Sequence, residues 1–210
     1  KLCRERMPDC EILFMGAEDG MENKLVPREG FRLETLKISN LQRKLTPAGI
    51  WHNVTTLVHM AGSMKKARRV LREFAPDVIY IHTSNRNITD YPDLNDSKEA
   101  VLSKEDSAYK HFEVMWDKLR ETYACPIIQN NFEMPFYRLL GNRDAVDIHG
   151  RIHFLNRLNE KFYEYADTHE NFYINDINYL SSCYGLDKWA DPFFWHMYKY
   201  ALCLDAIPNL

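Results

Sequence analysis

The sequence has no glycine-rich phosphate loop. Its eight glycines form neither G-x-G-x-x-G nor G-x-x-x-x-G-K-[ST]. No segment therefore offers the bare backbone that lets successive N–H groups close on a phosphate at a helix N-terminus. The nearest stretch, Gly16-Ala17-Glu18-Asp19-Gly20, carries two acids that repel such an anion. The five cysteines, Cys3, Cys10, Cys125, Cys183 and Cys203, include no C-x-x-C pair and are odd in number. Zinc-ribbon and disulfide-framework readings are therefore poor, and free thiols in a reducing cytoplasm are the expectation. No apolar run reaches the roughly 18 residues of a membrane-spanning helix, and no signal peptide is visible. The first residue is Lys1 rather than Met, so an upstream portion is expected.

What is present is enough for a folded protein. With 210 residues, 45% of them hydrophobic and 13% aromatic, the chain can bury one large or two small cores. The net charge of −3 conceals an asymmetry. Residues 1–78 hold 14 Lys and Arg against 10 Asp and Glu, a balance of +4, and the remainder holds 13 against 20, a balance of −7. Such a split points to different partners or different origins for the two parts. The basic excess is small and no recognised binding motif accompanies it, which argues against nucleic acid as a partner.

A short apolar run bounded by turn residues predicts a strand at Pro76–Ile81, and further strands are predicted at Glu11–Gly16, Phe31–Ile38, Cys125–Asn131 (strand and loop) and Asn171–Ile177. Helical patterns fall between them. One covers roughly residues 21–26. A second opens on Thr46-Pro47, carries apolar positions from Ile50 to Phe74, and is weakened at Gly49 and Gly62. Asp96 with Glu99 makes a capping-box-like start for a third helix, reaching about Glu121. Two more span about 147–169 and 192–204. This alternation predicts an α/β fold, three-layer αβα, with a mostly parallel, doubly wound sheet of about five strands. In such sheets ligands sit just past the C-terminal ends of the strands, so the loop His82–Asn87 is the first place to look for a site.

Amide and acid side chains collect at the predicted strand ends: Asn85 and Asn87, Asn130 and Asn131, Asn175 and Asp176, with Asp191 further on. They are suitable oxyanion or hydroxyl partners, and equally they are ordinary turn residues. Ser84, His82 and Asp191 supply the residue types of a hydrolase triad, although Ser84 also reads as a turn cap. His149 and His153 stand four apart on a predicted helix, a spacing that can bring two imidazoles to one metal beside Asp144 or Asp147. Gly150 occupies the place of the glutamate in H-E-x-x-H, so capping is the expectation, with no metal and no cofactor. Lys65, Lys66, Arg68, Arg69 and Arg72 form the polar face of the helical region that follows Trp51. That face is either solvated or in contact with an anionic membrane surface.

Four strings carry a resemblance to one family: Glu11-Ile12-Leu13-Phe14-Met15-Gly16, Met21-Glu22-Asn23-Lys24-Leu25-Val26-Pro27, Ile38-Ser39-Asn40-Leu41-Gln42-Arg43-Lys44, and Lys66 through Pro76-Asp77-Val78-Ile79. Through them residues 8–79 resemble the MurG-type N-acetylglucosaminyltransferases, which convert lipid I to lipid II in peptidoglycan synthesis. The resemblance implies residues 1–79 as part of the N-terminal, acceptor-side domain of a GT-B fold. It also implies a cytoplasmic, peripheral membrane location, with residues 50–72 meeting the membrane or a lipid-linked sugar through Trp51, Lys65, Lys66, Arg68 and Arg69. The glycine-rich loop expected after Asp77-Val78-Ile79 is replaced by Tyr80-Ile81-His82-Thr83, and the nucleotide-sugar domain is expected outside these residues.

A second set of strings follows: Tyr80-Ile81-His82-Thr83-Ser84-Asn85-Arg86-Asn87-Ile88, Pro126-Ile127-Ile128-Gln129-Asn130-Asn131-Phe132-Glu133, Asp147-Ile148-His149-Gly150-Arg151, Asn175 through Leu180, and Trp189-Ala190-Asp191-Pro192. Through them residues 76–210 resemble the N-terminal, SGNH-hydrolase-like domain of FkbH-like proteins, whose next domain is a HAD subfamily IIIC phosphatase or glyceryl transferase. The resemblance places Asn85 or Asn87 at the oxyanion-hole asparagine and Asp191 at the late acid, and it brings an acyl carrier protein into view as a partner. No serine follows Gly16, Phe194 stands where the late histidine falls, and no D-x-D-x-[TV] string occurs. The whole reads as a composite of two partial domains, 1–79 and 80–210, joined at Pro-Asp-Val-Ile and able to merge in one sheet. Catalysis by this chain alone is not expected, and the alternative is a non-catalytic carrier-protein or membrane-surface binding module.

Overall fold

Leu13–Ala17 (β1) is an apolar run and Arg32–Leu36 (β2) mixes Leu33 and Leu36 with Arg32, Glu34 and Thr35, and the two strands pair in parallel from Leu13↔Arg32 to Ala17↔Leu36. Parallel neighbours need a crossover, which Glu22–Arg28 (α1) supplies. Gly30, at φ 77°, closes that helix in the left-handed conformation that glycine adopts without strain. Its N–H donates to Pro27 O at 2.9 Å, and that of Phe31 donates to Val26 O at 3.1 Å. The computed structural model describes residues 5–18, 22–37, 62–198 and 201–209. Trp51 and the predicted helix start at Thr46-Pro47 lie outside the described residues. Residues 62–74 form a helix (α2), tied to β2 through Ser63 Oγ to Lys37 O at 2.9 Å and Lys66 Nζ to Thr35 O at 2.7 Å.

The chain separates into two compact units, residues 1–76 and 77–210. In the second, Ile79–Ile81 (β3), Ile127–Asn130 (β4) and Phe172–Asn175 (β5) form a parallel sheet in the order β3-β4-β5. Lys98–Thr122 (α3) follows β3, and Arg151–Thr168 (α4) follows β4. The class is the expected α/β, with every recorded strand pair parallel. Among the described residues five strands are seen, divided between a two-stranded sheet, β1-β2, and a three-stranded sheet, β3-β4-β5.

One face of the three-stranded sheet presents Ile79, Ile81, Ile127, Phe172 and Ile174 to Phe112 and Trp116 of α3 and to Phe154, Leu155, Leu158 and Phe162 of α4. Trp116 is fully buried, with ring centroids 4.6 Å from Phe162 and 4.9 Å from Phe172. Burial of each such ring stabilises the fold by about 2–3 kcal/mol. The chain beyond β5 adds Ile177–Tyr184 (α5), Leu186–Trp189 (α6) and Pro192–Tyr198 (α7), where Ile177, Trp189, Leu202 and Ala206 make a second cluster.

Three element starts and ends differ from the sequence expectation. The cap of α3 is Ser97, whose Oγ accepts from Ala100 N at 3.2 Å. Asp96 instead accepts from Asp93 N and from Lys104 Nζ. The helix expected from residue 147 starts at Arg151, because Gly141–Ala145 forms a 3-10 turn and Gly150 lies against it. A Cβ on Gly150 would fall 2.0 Å from Asp144 O, so only glycine allows this approach. The last α-helix ends at Tyr198 rather than near residue 204, where Leu204–Asn209 is a 3-10 turn.

Candidate functional site

The C-terminal ends of β3, β4 and β5 carry one polar network. Gln129 points into the core face, fully buried, and each part of its amide is matched. Trp116 Nε1 donates to its Oε1 at 3.0 Å, and its Nε2 donates to Thr83 Oγ1 and Asn130 O, both at 2.8 Å. The opposite alternation places Tyr80, Asn130 and Asn175 together. Tyr80 OH donates to Asn130 Oδ1 at 2.7 Å, and Asn175 Nδ2 donates to both Asn130 Oδ1 and the tyrosine oxygen at 3.0 and 3.1 Å. Asn130 Nδ2 meets His82 Nδ1 at 2.8 Å. Burial raises the Tyr80 pKa against these two amides, and desolvation lowers that of His82. Both rings are therefore held neutral near pH 7.

Asn131 links the network to α4 and α5. Its Nδ2 donates to Tyr163 OH at 2.7 Å and Asp176 Oδ1 at 2.6 Å, and its Oδ1 accepts from Asn178 N at 3.1 Å. Asp176 caps α5 by accepting from Tyr179 N at 3.0 Å. Asn159 closes on the backbone of Phe132 in both directions, at 2.8 Å each way. This network, buried at Gln129, Asn130, Asn131 and Asn159 and reaching the surface at Tyr80 and Tyr163, fixes the strand ends in one arrangement.

Asn85 and Asn87 share the 3-10 turn Asn85–Asn87. Asn85 is buried and donates its Nδ2 to Glu133 Oε1 at 3.0 Å and its N–H to Glu133 Oε2 at 3.1 Å. Asn87 Oδ1 accepts from Ser84 N at 2.8 Å, and Ser84 Oγ accepts from Arg86 N at 3.2 Å, a capping box on the turn. Asp191 caps α7, accepting from Phe193 N at 2.7 Å. Ser84, His82 and Asp191 thus occupy three different hydrogen-bonded settings, with no nucleophile–base bond recorded among them. Arg86, between the two asparagines, lies 4.4 Å over the Trp195 ring, which brings the turn beside α7.

Glu133 entered the sequence reading only as the last residue of a resembling string, yet it is the centre of this corner. Desolvation pushes its carboxyl up to about 7, against the hydrogen bonds from the backbone and the charge of Arg86. Tyr91 donates to Asn85 O at 2.9 Å, and burial with the nearby Glu133 raises its pKa well above the usual phenol range. Arg151 lies 4.9 Å over the Tyr91 ring.

His149 and His153 do not converge. His149 precedes α4 and meets Asp147 Oδ1 at 2.9 Å and Asp96 O at 3.0 Å, which raise its pKa, while His153 meets Ala145 O at 3.3 Å. In the N-terminal unit Lys65, Arg68 and Arg69 are exposed, whereas Lys66 is half-buried and 3.6 Å from Glu34.

A parallel α/β sheet with a polar cluster at its strand ends defines a class in which the C-terminal edge binds or converts ligands. Within that class the family is specific. The model of the FkbH N-terminal domain matches residues 62–210, more than two thirds of the chain, and the chain belongs to that family. It is a composite, because part of it is similar to another family. The UDP-N-acetylglucosamine--N-acetylmuramyl-(pentapeptide) pyrophosphoryl-undecaprenol N-acetylglucosamine transferase of Parabacteroides distasonis is 43% identical over 75 residues, 36% of this chain and 19% of that protein. The same transferase of Lactococcus lactis subsp. cremoris is 35% identical over 79 residues, 38% of this chain and 21% of that protein. The chain thus spans about a fifth of the length of these curated relatives. A solved structure, the N-terminal part of BF1531 from Bacteroides fragilis, containing a phosphatase domain complexed with Mg, shares the fold. Its TM-score is 0.56 at 16% identity, over 94% of this chain and 48% of that chain. Among the described residues no helix is long and apolar enough to cross a membrane.

Proposed function

We propose that this chain is a non-catalytic binding module of the FkbH type, an accessory to phosphatase or glyceryl-transferase chemistry, and transfers neither sugar nor acyl groups alone. The observation that carries this reading is the commitment of the strand-end groups to one another. Asn85 gives its amide to Glu133, Ser84 and Asn87 cap a turn, and Asp191 caps α7. An oxyanion hole needs donors waiting for the developing charge, and a nucleophile needs a base within hydrogen-bond reach. The partner in this reading is a carrier protein, with an acyl carrier protein as the first to test. Purified protein is expected to hydrolyse neither p-nitrophenyl acetate nor UDP-GlcNAc above buffer. It is expected to bind an acyl carrier protein in a calorimetric titration. Ester turnover abolished by Asn85→Ala would overturn the reading.

A second reading concerns residues 50–72 and rests on the three exposed cations Lys65, Arg68 and Arg69 beside the exposed Met64. Such a face is suited to an anionic membrane surface or a lipid-linked sugar, at about 1 kcal/mol for each cation near the surface. Sedimentation with phosphatidylglycerol vesicles is expected to be lost on charge reversal of Lys65, Arg68 and Arg69. Equal sedimentation of the reversed protein refutes it.

A further inference from the structure

Arg86 follows Asn85 in the 3-10 turn, Tyr91 donates to Asn85 O, and Arg151 stacks on Tyr91; neither guanidinium has an acceptor among the described residues. Arg86 lies over Trp195 and Arg151 over Tyr91. Stacking uses the face of a guanidinium and leaves its five N–H donors pointing outward from the edge. Arg151 Nε is buried and without a partner. A buried donor in that state is unfavourable, and such groups are satisfied by an unseen partner or serve a function.

The setting differs from that of Glu105, another buried carboxylate of the same unit. Glu105 is ion-paired to Arg157 at 2.5 Å and Lys161 at 3.3 Å. Glu133 is bound by the neutral Asn85 instead, and its raised pKa reduces the negative charge that would otherwise compensate the arginines. The charges of Arg86 and Arg151 both reach Tyr91, lowering its pKa against the effect of burial. Arg151 also opens the 18-residue helix α4, whose N-cap Gly150 gives no side-chain bond. The end of that helix carries partial positive charge. Asp144 takes up Ile152 N there at 2.8 Å, so the guanidiniums remain the principal donors.

We infer that Arg86 and Arg151 form an oxyanion site fitted to the phosphoryl group of a phosphate monoester. A tetrahedral oxyanion accepts edge donors from two forks at once. This deepens the binding reading above and rests on it, since the corner holds a ligand rather than converting one.

The probe is sulfate, whose charge is constant near neutral pH, titrated into the full chain against chloride and acetate at equal ionic strength. Saturable sulfate binding is expected by calorimetry, with the side-chain Nε–H resonances of Arg86 and Arg151 shifting in NMR spectra. Arg86→Gln and Arg151→Gln are each expected to weaken binding by about tenfold or more. Lys118→Gln, at an exposed lysine paired with Glu121, is expected to leave it unchanged. Where Arg151→Gln disturbs the fold, Arg151→Lys keeps the charge and loses the fork, and weaker binding is again expected. A wild-type protein without saturable binding overturns the inference, as does unchanged affinity in the Arg86→Gln, Arg151→Gln double variant. Either result leaves the non-catalytic reading standing if no ester is turned over, whereas ester turnover refutes that reading whatever sulfate does.

Discussion

Raising the pH through neutrality should destabilise the C-terminal unit through Glu133. In the unfolded chain a glutamate titrates near 4.5, while in the folded protein burial pushes this one up to about 7. The folded state therefore binds its proton more tightly, and its stability falls as pH rises between those two values. The full shift corresponds to about 3.4 kcal/mol, of which about 2.5 kcal/mol is lost between about pH 5 and about pH 8. Glu133 is 2% exposed, so solvent screening takes little from this figure. Urea unfolding of the wild type and of Glu133→Gln, each at both pH values, isolates the contribution by difference. The glutamine removes the titration and retains an acceptor for Asn85. Wild-type stability should fall with pH by about 2.5 kcal/mol more than that of the variant. Parallel pH profiles for the two proteins would refute the reasoning.

Glu105→Ala should lower stability by about 1–3 kcal/mol, because its buried carboxylate binds Arg157 and Lys161, both of which stay partly exposed and recover water. An unfolding midpoint unchanged from wild type contradicts this. Trp116→Phe should cost about 1–3 kcal/mol by leaving Gln129 Oε1 without its donor, read from the same curves; a loss below 0.5 kcal/mol would mean that water enters the core there. Gly150→Ala should be the most damaging small change. Its Cβ meets a backbone oxygen rather than a mobile side chain, and at least about 2 kcal/mol is expected. Calorimetric melting at the wild-type temperature would show that the Asp144 turn yields.

Most strands were legible as short apolar stretches between turn residues, β2 being the exception because Arg32, Glu34 and Thr35 interrupt its leucines, and α3 and α4 were legible from stripes such as Phe112, Trp116 and Phe162. The pair α5 and α6 was not. Asn178, Ser181 and Ser182 blur the apolar period, and Gly185 at φ 100° breaks it. Site residues followed the same division. Asn130, Asn131, Asn175 and Asp176 are strand-end residues by position, and the structure joins them directly. Glu133 and Asn85 are 48 residues apart, and Tyr91 and Arg151 join them from a loop and a helix start. Nothing local marks such a meeting. A lone acid in an otherwise apolar and amide string, as in Asn130-Asn131-Phe132-Glu133-Met134, is the one signal present.

The helix over residues 62–74 bears on how two parental sequences share one chain. By wording the junction falls at Pro76-Asp77-Val78-Ile79, and the two compact units divide after Pro76. The family match nevertheless begins at residue 62, ahead of that junction. Structurally the helix is held by the N-terminal unit, since Ser63 and Lys66 bond to the backbone of Lys37 and Thr35. A helix packed on a parallel sheet is asked for little: an apolar stripe, here with Val70 buried, and a polar outer face. Either parent makes the same demand. An exchange within or just after such a helix therefore preserves the buried face, whereas one inside β4 or α4 would break the matched network around Gln129 and Asn131.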